Sequence, residues 1–227
     1  MNNVNYQKEL DKITAVIEEG RINRPKVLLH ACCAPCSSYC MEYLREFFDI
    51  TVFYFNPNIT SEAEYTKRLD EEIRLIGIYN DQVTRYREAG LQPDACDMKV
   101  TDNTGLIKII RGDYIPGQFS ERVKGYEDCP ERGARCHICY ELRIAETFKI
   151  AREAGIEYVA TTLTLSPLKD AQKINEIGYR LGEGSGDVKW LPSDFKKREG
   201  YKRSIELSAE FGLYRQNYCG CVYSKRE

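Results

Sequence analysis

Short apolar runs alternate with longer segments of helical period along this chain, and that alternation limits the fold more than any other feature. KVLLHA at 26–31 is an apolar run followed closely by small residues and a Pro, which reads as a buried strand ending in a turn. A helix is expected from about Ser37, because Cys40, Leu44, Phe47 and Phe48 recur with helical spacing. ITVFYFNPN at 50–58 is β-branched and aromatic until Asn-Pro interrupts it, so it reads as a second strand. Ser61 and Glu64 form a capping box for a charged helix running to about Ile78. A helix over about 136–154, a strand at 157–163 (EYVATTL) and a helix with Ser166 as N-cap and Pro167 at its first position follow. A short strand, VKWL, and a helix over about 196–211 complete the pattern.

Strands alternating with helices call for an α/β fold, a parallel sheet flanked by helices on both faces. In such a sheet the ligand crevice lies beyond the C-terminal ends of the strands. Cys32-Cys33 and Ser166-Pro167 both follow predicted strands, so thiols and a helix N-terminus suited to anions are expected at one sheet edge. At 227 residues the expectation is one domain, with an irregular insertion at about 81–135, a short helix at 105–111 inside it, and a Cys-Gly-Cys tail.

A hydrophobic fraction of 42% with 30% charged residues belongs to a folded globular protein. The N-terminus lacks a basic segment followed by an apolar run, and no stretch approaches the ~20 apolar residues that span a bilayer. The expectation is a cytoplasmic protein with no membrane partner, and in that reducing compartment ten cysteines point to metal binding or redox chemistry rather than disulfides. A net charge of -2 argues against nucleic-acid binding through the bulk field. From Lys189 onward, however, nine Lys or Arg stand against five Asp or Glu. Lys196, Lys197 and Arg198, with Lys202 and Arg203, are either a solvated helix face or a surface that meets phosphates.

RCHICYELR at 135–143 is the strongest local signal. On a helix Cys136, Cys139, Tyr140 and Arg143 share one face, and two thiols at that spacing suit zinc, an iron-sulfur cluster or a redox pair alike. Cys32 and Cys33 lie adjacent on a turn where both can face one cluster, and Cys219 and Cys221 flank a glycine that permits close approach. Cys36 sits at a helix N-terminus that favours a thiolate, which makes it a further ligand candidate. Cys40 reads as core, Cys96 and Cys129 as weak ligand candidates, His30 as a hydrogen-bonded core residue, and His137 as pointing away from its cysteine neighbours. Six thiols, or seven with Cys36, exceed the four that one tetrahedral metal or one cluster needs. The surplus implies a second metal or a dithiol that cycles with a disulfide.

HACCAPCSSY, FYFNPNI, RCHICYELRI, ATTLTLSPLKDAQKINEIG and SAEFGLYRQNYCGCVYS, in that order from about residue 25 to 224, resemble the QueH family, the cobalamin-independent epoxyqueuosine reductases of tRNA queuosine biosynthesis. The resemblance implies an adenine-nucleotide alpha-hydrolase-like (HUP/Rossmann-like) fold, here without the ATP phosphate loop, whose place HACCAPC takes. It also implies a 4Fe-4S cluster held by Cys32, Cys33, Cys136 and Cys139, with Cys219 and Cys221 assigned to redox work or to a second, mononuclear iron. Cys36 stands where some members carry Asp. The implied reaction removes the epoxide oxygen of epoxyqueuosine at the wobble position of tRNA, using two electrons from an external donor and two protons.

Within that reading Cys219, Cys221 and Tyr140 are the catalytic candidates, with Asp113, Asp128 and Glu131 as further proton donors. Arg143, Ser166, Lys196, Lys197 and Arg198 are the substrate-binding candidates, and Tyr114, Phe119 or Tyr126 could stack on the base. The rival readings are a zinc-thiolate scaffold without catalysis and an ATP-dependent adenylating enzyme acting on tRNA. The surplus thiols weigh against the first and the missing phosphate loop against the second.

Overall fold

β1 (Lys26–Ala31) is the central strand of a five-stranded, all-parallel sheet in the computed structural model, which describes residues 4–20, 23–89 and 100–225. β2 (Asp49–Tyr54) and β4 (Tyr158–Thr161) flank it, and β3 (Lys108–Arg111) and β5 (Lys189–Trp190) form the edges, giving the order β3-β2-β1-β4-β5. That is a doubly wound order, in which the topological switch lies between β1 and β4. His30 pairs with Phe53 on one side and Thr161 on the other, so the three inner strands end together.

Alternation along β1 sets the two layers. Val27, Leu29 and Ala31 point into a core shared with α1 (Tyr6–Glu18), α2 (Ala34–Leu44) and α3 (Glu62–Ala89), where Leu10, Met41 and Leu75 are fully buried. Leu28 points to the opposite core, built with α5 (Ala134–Ala154) and α6 (Ala171–Glu183) around Ile144, Phe148, Ile174 and Trp190. α4 (Pro116–Arg122) packs on α5, and α7 (Gly200–Glu210) packs on α2. At 0% exposure Cys40 is core, as expected for a thiol on the apolar face of α2.

Several expectations are corrected. The segment read as a helix at 105–111 contains a strand, Lys108–Arg111, which pairs in register with Thr51–Tyr54. Four residues are too few for periodicity to decide, and pairing with β2 decides instead. The helix expected from Ser166 starts at Ala171. Ser166 does accept a hydrogen bond from Leu168 N at 3.2 Å, but only one turn forms before Asp170 captures Lys173 N at 3.0 Å and caps α6. The helix expected to end near Ile78 runs on to Ala89, so the stretch read as irregular begins inside a helix and also holds β3 and α4. α7 begins at Gly200 rather than near 196, because Arg198 and Glu199 have φ of 52° and 60°, which ends regular helix before them.

Candidate active site

Three segments converge beyond the C-terminal ends of β1 and β4. Cys32 follows β1, and Cys33 caps α2 with an extended backbone that turns Cys36 back toward it, Cys36 N donating to Cys33 O at 3.1 Å. Asn56 Nδ2 donates to Ala31 O at 2.8 Å and Cys32 N to Thr162 Oγ1 at 3.3 Å, so the loop is pinned from both neighbouring strands. The Cys32, Cys33 and Cys36 sulfurs lie within 4.8 Å of one another, and those of Cys32 and Cys33 are 3.7 Å apart. A tetrahedral thiolate site with metal–sulfur bonds of ~2.3 Å puts its sulfurs ~3.8 Å apart, so the triad is close enough to hold a metal, and the Cys32 and Cys33 sulfurs would have to separate to bind different irons of a cluster. Among the described residues it is the one such triad.

A cavity of about 150 Å³ opens over the triad and reaches Arg143, Lys169 and Cys219. A smaller one, about 30 Å³, lies against Cys136, Cys139, Cys219 and Cys221 and shares Arg143 and Lys169 with the first. Cys219 therefore joins the two thiol groups. The four residues expected on one face of α5 do share it, since Cys136, Cys139, Tyr140 and Arg143 all line the smaller cavity.

The tail is seated by backbone contacts. Asn58 Nδ2 donates to Cys219 O at 3.1 Å, Arg68 Nη2 to Tyr218 O at 3.2 Å, and Thr60 N to Gly220 O at 3.3 Å. Gly220 has φ of +100°, and a Cβ there would come within 2.6 Å of Ile59 Cγ1, so this Cys-Gly-Cys turn requires glycine. Cys221 is buried beside Phe119, Val123 and Cys139, and the Cys219 sulfur lies 3.0 Å from Ser224 Oγ.

The charges are unusual for an interior. Arg143 is 3% exposed and bonds only uncharged acceptors, Cys139 O at 3.3 Å and Asn56 Oδ1 at 3.4 Å. The Lys169 ammonium has no hydrogen-bond or ion-pair partner among the described residues, yet borders both cavities. Burial acts to lower its pKa, but negative charge at Cys219 and Cys32 outweighs burial and holds it above the ordinary lysine range. In turn Cys32 is pulled well down by hydrogen bonds from Cys33 and Cys36, helped by Lys169, while Cys33 is pushed up to about 12 because its neighbour ionises first. Cys219 is likewise pulled down, by Cys221 and then Lys169 against burial, and Cys221 is pushed up. Two inward cations with thiols as their nearest counter-charges, and Glu131 as the one carboxylate at both cavity edges, fit an anionic thiolate-ligated centre.

A family model described as epoxyqueuosine reductase QueH matches residues 27–227. The chain belongs to the QueH family. Epoxyqueuosine reductase QueH of Streptococcus pyogenes serotype M1 is 38% identical over 223 residues, covering 98% of this chain and 79% of that protein. The same-named protein of Staphylococcus epidermidis is 39% identical over 224 residues, 97% of this chain and 84% of its own. That of Thermotoga maritima is 34% identical over 201 residues, 88% and 91% of the two chains. This QueH-family chain is thereby placed among oxidoreductases, and none of its described helices is long and apolar enough to cross a membrane.

The remaining predicted residues divide. Ser166 lines the larger cavity and Tyr140 the smaller, where burial pushes the phenol pKa up. Lys196, Lys197 and Arg198 line neither cavity: Lys196 pairs with Asp194 at 2.6 Å, Arg198 with Asp11, and Lys197 bonds Asn5 at 3.3 Å. Asp113 and Asp128 are exposed and line neither, and Phe119 is 1% exposed with no face free for a base. Tyr114 packs on Tyr65 and donates to Ile59 O at 3.0 Å, while Tyr126 is 40% exposed. His30 is fully buried, its Nε2 donating to Phe55 O at 3.0 Å and its Nδ1 accepting from Thr161 Oγ1 at 2.9 Å, and burial lowers its pKa to about 3. His137 lines a different cavity, between α5 and α6, and Cys96 lies outside the described residues. Lys169 and Arg68 at the site, and Tyr201, Arg215 and Tyr218 at its mouth, went unread in the sequence. Lys169 alone carried a signal, as a lysine in the first turn of the helix expected from Ser166 at the ligand-binding edge of the sheet.

Proposed function

We propose that the chain is an iron-sulfur reductase that converts epoxyqueuosine to queuosine at the wobble position of the tRNA anticodon. The observation that carries this reading is the pair of adjoining cavities lined by seven cysteines from three chain segments together with Arg143 and Lys169, which have no carboxylate partner among the described residues. The names of its relatives supply the substrate. Cys32, Cys33, Cys136 and Cys139 are the ligands of a 4Fe-4S cluster in this reading, and Cys36, Cys219 and Cys221 hold a second iron or act as a dithiol. When bound, the cluster supplies electrons singly from an external low-potential carrier, and the surplus thiols allow a second equivalent to be held beside it.

The chain's own residues do the rest. Arg143 offsets the negative charge of the thiolates from beneath, held in place by Asn56, which also ties down the loop after β1. Tyr201, which lines the cavity and is 38% exposed, offers a ring face to a base outside its stack, as single-stranded loops present them, whereas Tyr218 already holds Arg68 and Lys225 over its ring. Arg215 offers phosphate a guanidinium without a carboxylate partner among the described residues. The test is anaerobic incubation of reconstituted protein, a low-potential one-electron donor and tRNA bearing epoxyqueuosine, followed by nucleoside mass spectrometry. Loss of one oxygen from the modified nucleoside supports the reading. Unchanged nucleoside in the presence of a fully loaded cluster overturns it.

A further inference from the structure

We propose that Lys169 is the acid that protonates the oxygen leaving the epoxide. The proposal rests on the reductase reading above and assigns within it a residue that the cysteine pattern does not reveal.

Removing the epoxide oxygen needs a proton at the point where negative charge develops, because the oxygen leaves far more readily once it is protonated. Besides the thiols, the proton-bearing side chains that line the cavities include Arg143, Tyr140 and Lys169, with Tyr201 and Tyr218 on the larger one and the exposed Glu131 at the edge of both. Arg143 does not give up its proton. The thiols are occupied as ligands or as a dithiol. Tyr140 borders the smaller cavity only, and Tyr201 and Tyr218 border the larger only. Lys169 borders both cavities and has no partner to satisfy its ammonium among the described residues.

Its position is preorganised. Lys169 N donates to Ser166 O at 3.2 Å, Asp170 starts α6 directly after it, and Arg132 donates to Pro167 O from the other side. The backbone that carries the side chain is therefore fixed at both ends of a single turn. The side chain is only partly buried, and its ammonium has no hydrogen-bond partner among the described residues, so it can turn to an anion in either cavity. Thiolate charge attracts it in the resting protein, and the developing oxyanion attracts it during reaction.

The step balances as follows. Two electrons from a low-potential one-electron carrier, delivered through the cysteine-rich centre, enter the carbon framework as the first C–O bond breaks. The oxygen takes a proton from Lys169 Nζ, leaving a neutral amine and a hydroxyl group. The second C–O bond then breaks, the carbon–carbon double bond forms, and hydroxide leaves as water with a second proton from solvent. Solvent reprotonates the amine.

Lys169→Met keeps most of the stem without the amine, and Lys169→Arg keeps the charge but not a usable acid. Both are compared with wild type for iron and sulfide content, tRNA affinity and turnover number. The expected result is wild-type tRNA affinity in both variants and wild-type metal content in Lys169→Arg, with turnover per loaded centre lowered about 100- to 10,000-fold in each. Wild-type turnover in Lys169→Arg overturns the proposal, because charge alone would then suffice. So does a loss in Lys169→Met that merely tracks lost iron or lost tRNA binding. Undiminished turnover in Lys169→Met overturns the assignment while leaving the reductase reading intact, whereas absence of turnover in loaded wild type overturns both.

Discussion

Gly220→Ala should release the Cys-Gly-Cys tail without unfolding the sheet. Two costs act together at this position. A positive φ burdens any L side chain by about 1–2 kcal/mol, and Gly220 has φ of +100°. The added Cβ would also lie 2.6 Å from Ile59 Cγ1, a buried atom, and such overpacking costs about 1–3 kcal/mol. The sum is roughly 2–5 kcal/mol. Against it stand the hydrogen bonds from Asn58, Arg68 and Thr60 that seat the tail, each worth about 0.5–1.5 kcal/mol. The strain is comparable to the tether, so local opening is the easier response. Alkylation followed by mass spectrometry on reduced, metal-free protein reads this directly. Cys221, which is 6% exposed, should react at least roughly 30-fold faster in the variant, since 2 kcal/mol is about that factor. Cys40, at 0% exposure in the sheet core, should keep its rate and serve as the internal control. An unchanged Cys221 rate would refute the reasoning, and equal acceleration at Cys40 would mean global rather than local loss.

Other outcomes follow from the same structure. Glu72 is fully buried with no hydrogen bond to its carboxylate oxygens, and burial, with the charges of Cys32 and Glu71 adding and Ser37 opposing, raises its pKa from 4.5 to about 8. The folded chain thus holds a proton that the unfolded chain has lost, so stability falls as pH rises from about 4.5 and levels above about 8. Glu72→Gln should remove that slope and gain on wild type by on the order of a few kcal/mol between pH 5 and pH 8, whereas parallel denaturation curves would contradict it. Arg143→Met strips a buried cation from beside the thiols and should weaken iron retention against a chelator about 10- to 100-fold, with wild-type retention counting against the charge argument. Arg215→Glu should weaken tRNA binding more than joint reversal of Lys196, Lys197 and Arg198, because Lys196 and Arg198 already face Asp194 and Asp11 while Arg215, among the described residues, bonds only Ser204 O and Ser208 Oγ. Fluorescence titration across salt concentrations compares them, and the reverse ranking would move the phosphate contact to the α7 end.

Much of this arrangement was legible before any coordinates. The apolar run at 26–31 placed the central strand, because burial on both faces leaves an unbroken hydrophobic stretch. The spacing of Cys136, Cys139, Tyr140 and Arg143 placed one wall of the site, since a 21-residue helix with a regular period keeps such residues on one face. His30 read correctly as interior because it lies within an apolar run, and Cys40 because it lies on the apolar face of its helix. What failed were features that tertiary contacts decide. β3 is four residues long and exists because β2 offers it an edge, and Ser166 looked like an N-cap although Asp170 takes that role. Lys196 and Arg198 looked like a free basic run because their partners Asp194 and Asp11 come partly from α1, a helix far away in sequence. Lys169 escaped for the opposite reason: it lines both cavities without a hydrogen-bond partner among the described residues, which only packing reveals.

Iron, acid-labile sulfide and zinc per chain, determined on protein purified without oxygen, test most directly whether these cysteines hold a redox centre. About four sulfides with four or five irons are predicted, four irons favouring the dithiol role of Cys219 and Cys221 and five favouring a second iron. About one zinc with no sulfide, persisting after anaerobic reconstitution with iron and sulfide, would contradict the account and leave the Cys32–Cys33–Cys36 triad as a structural thiolate site.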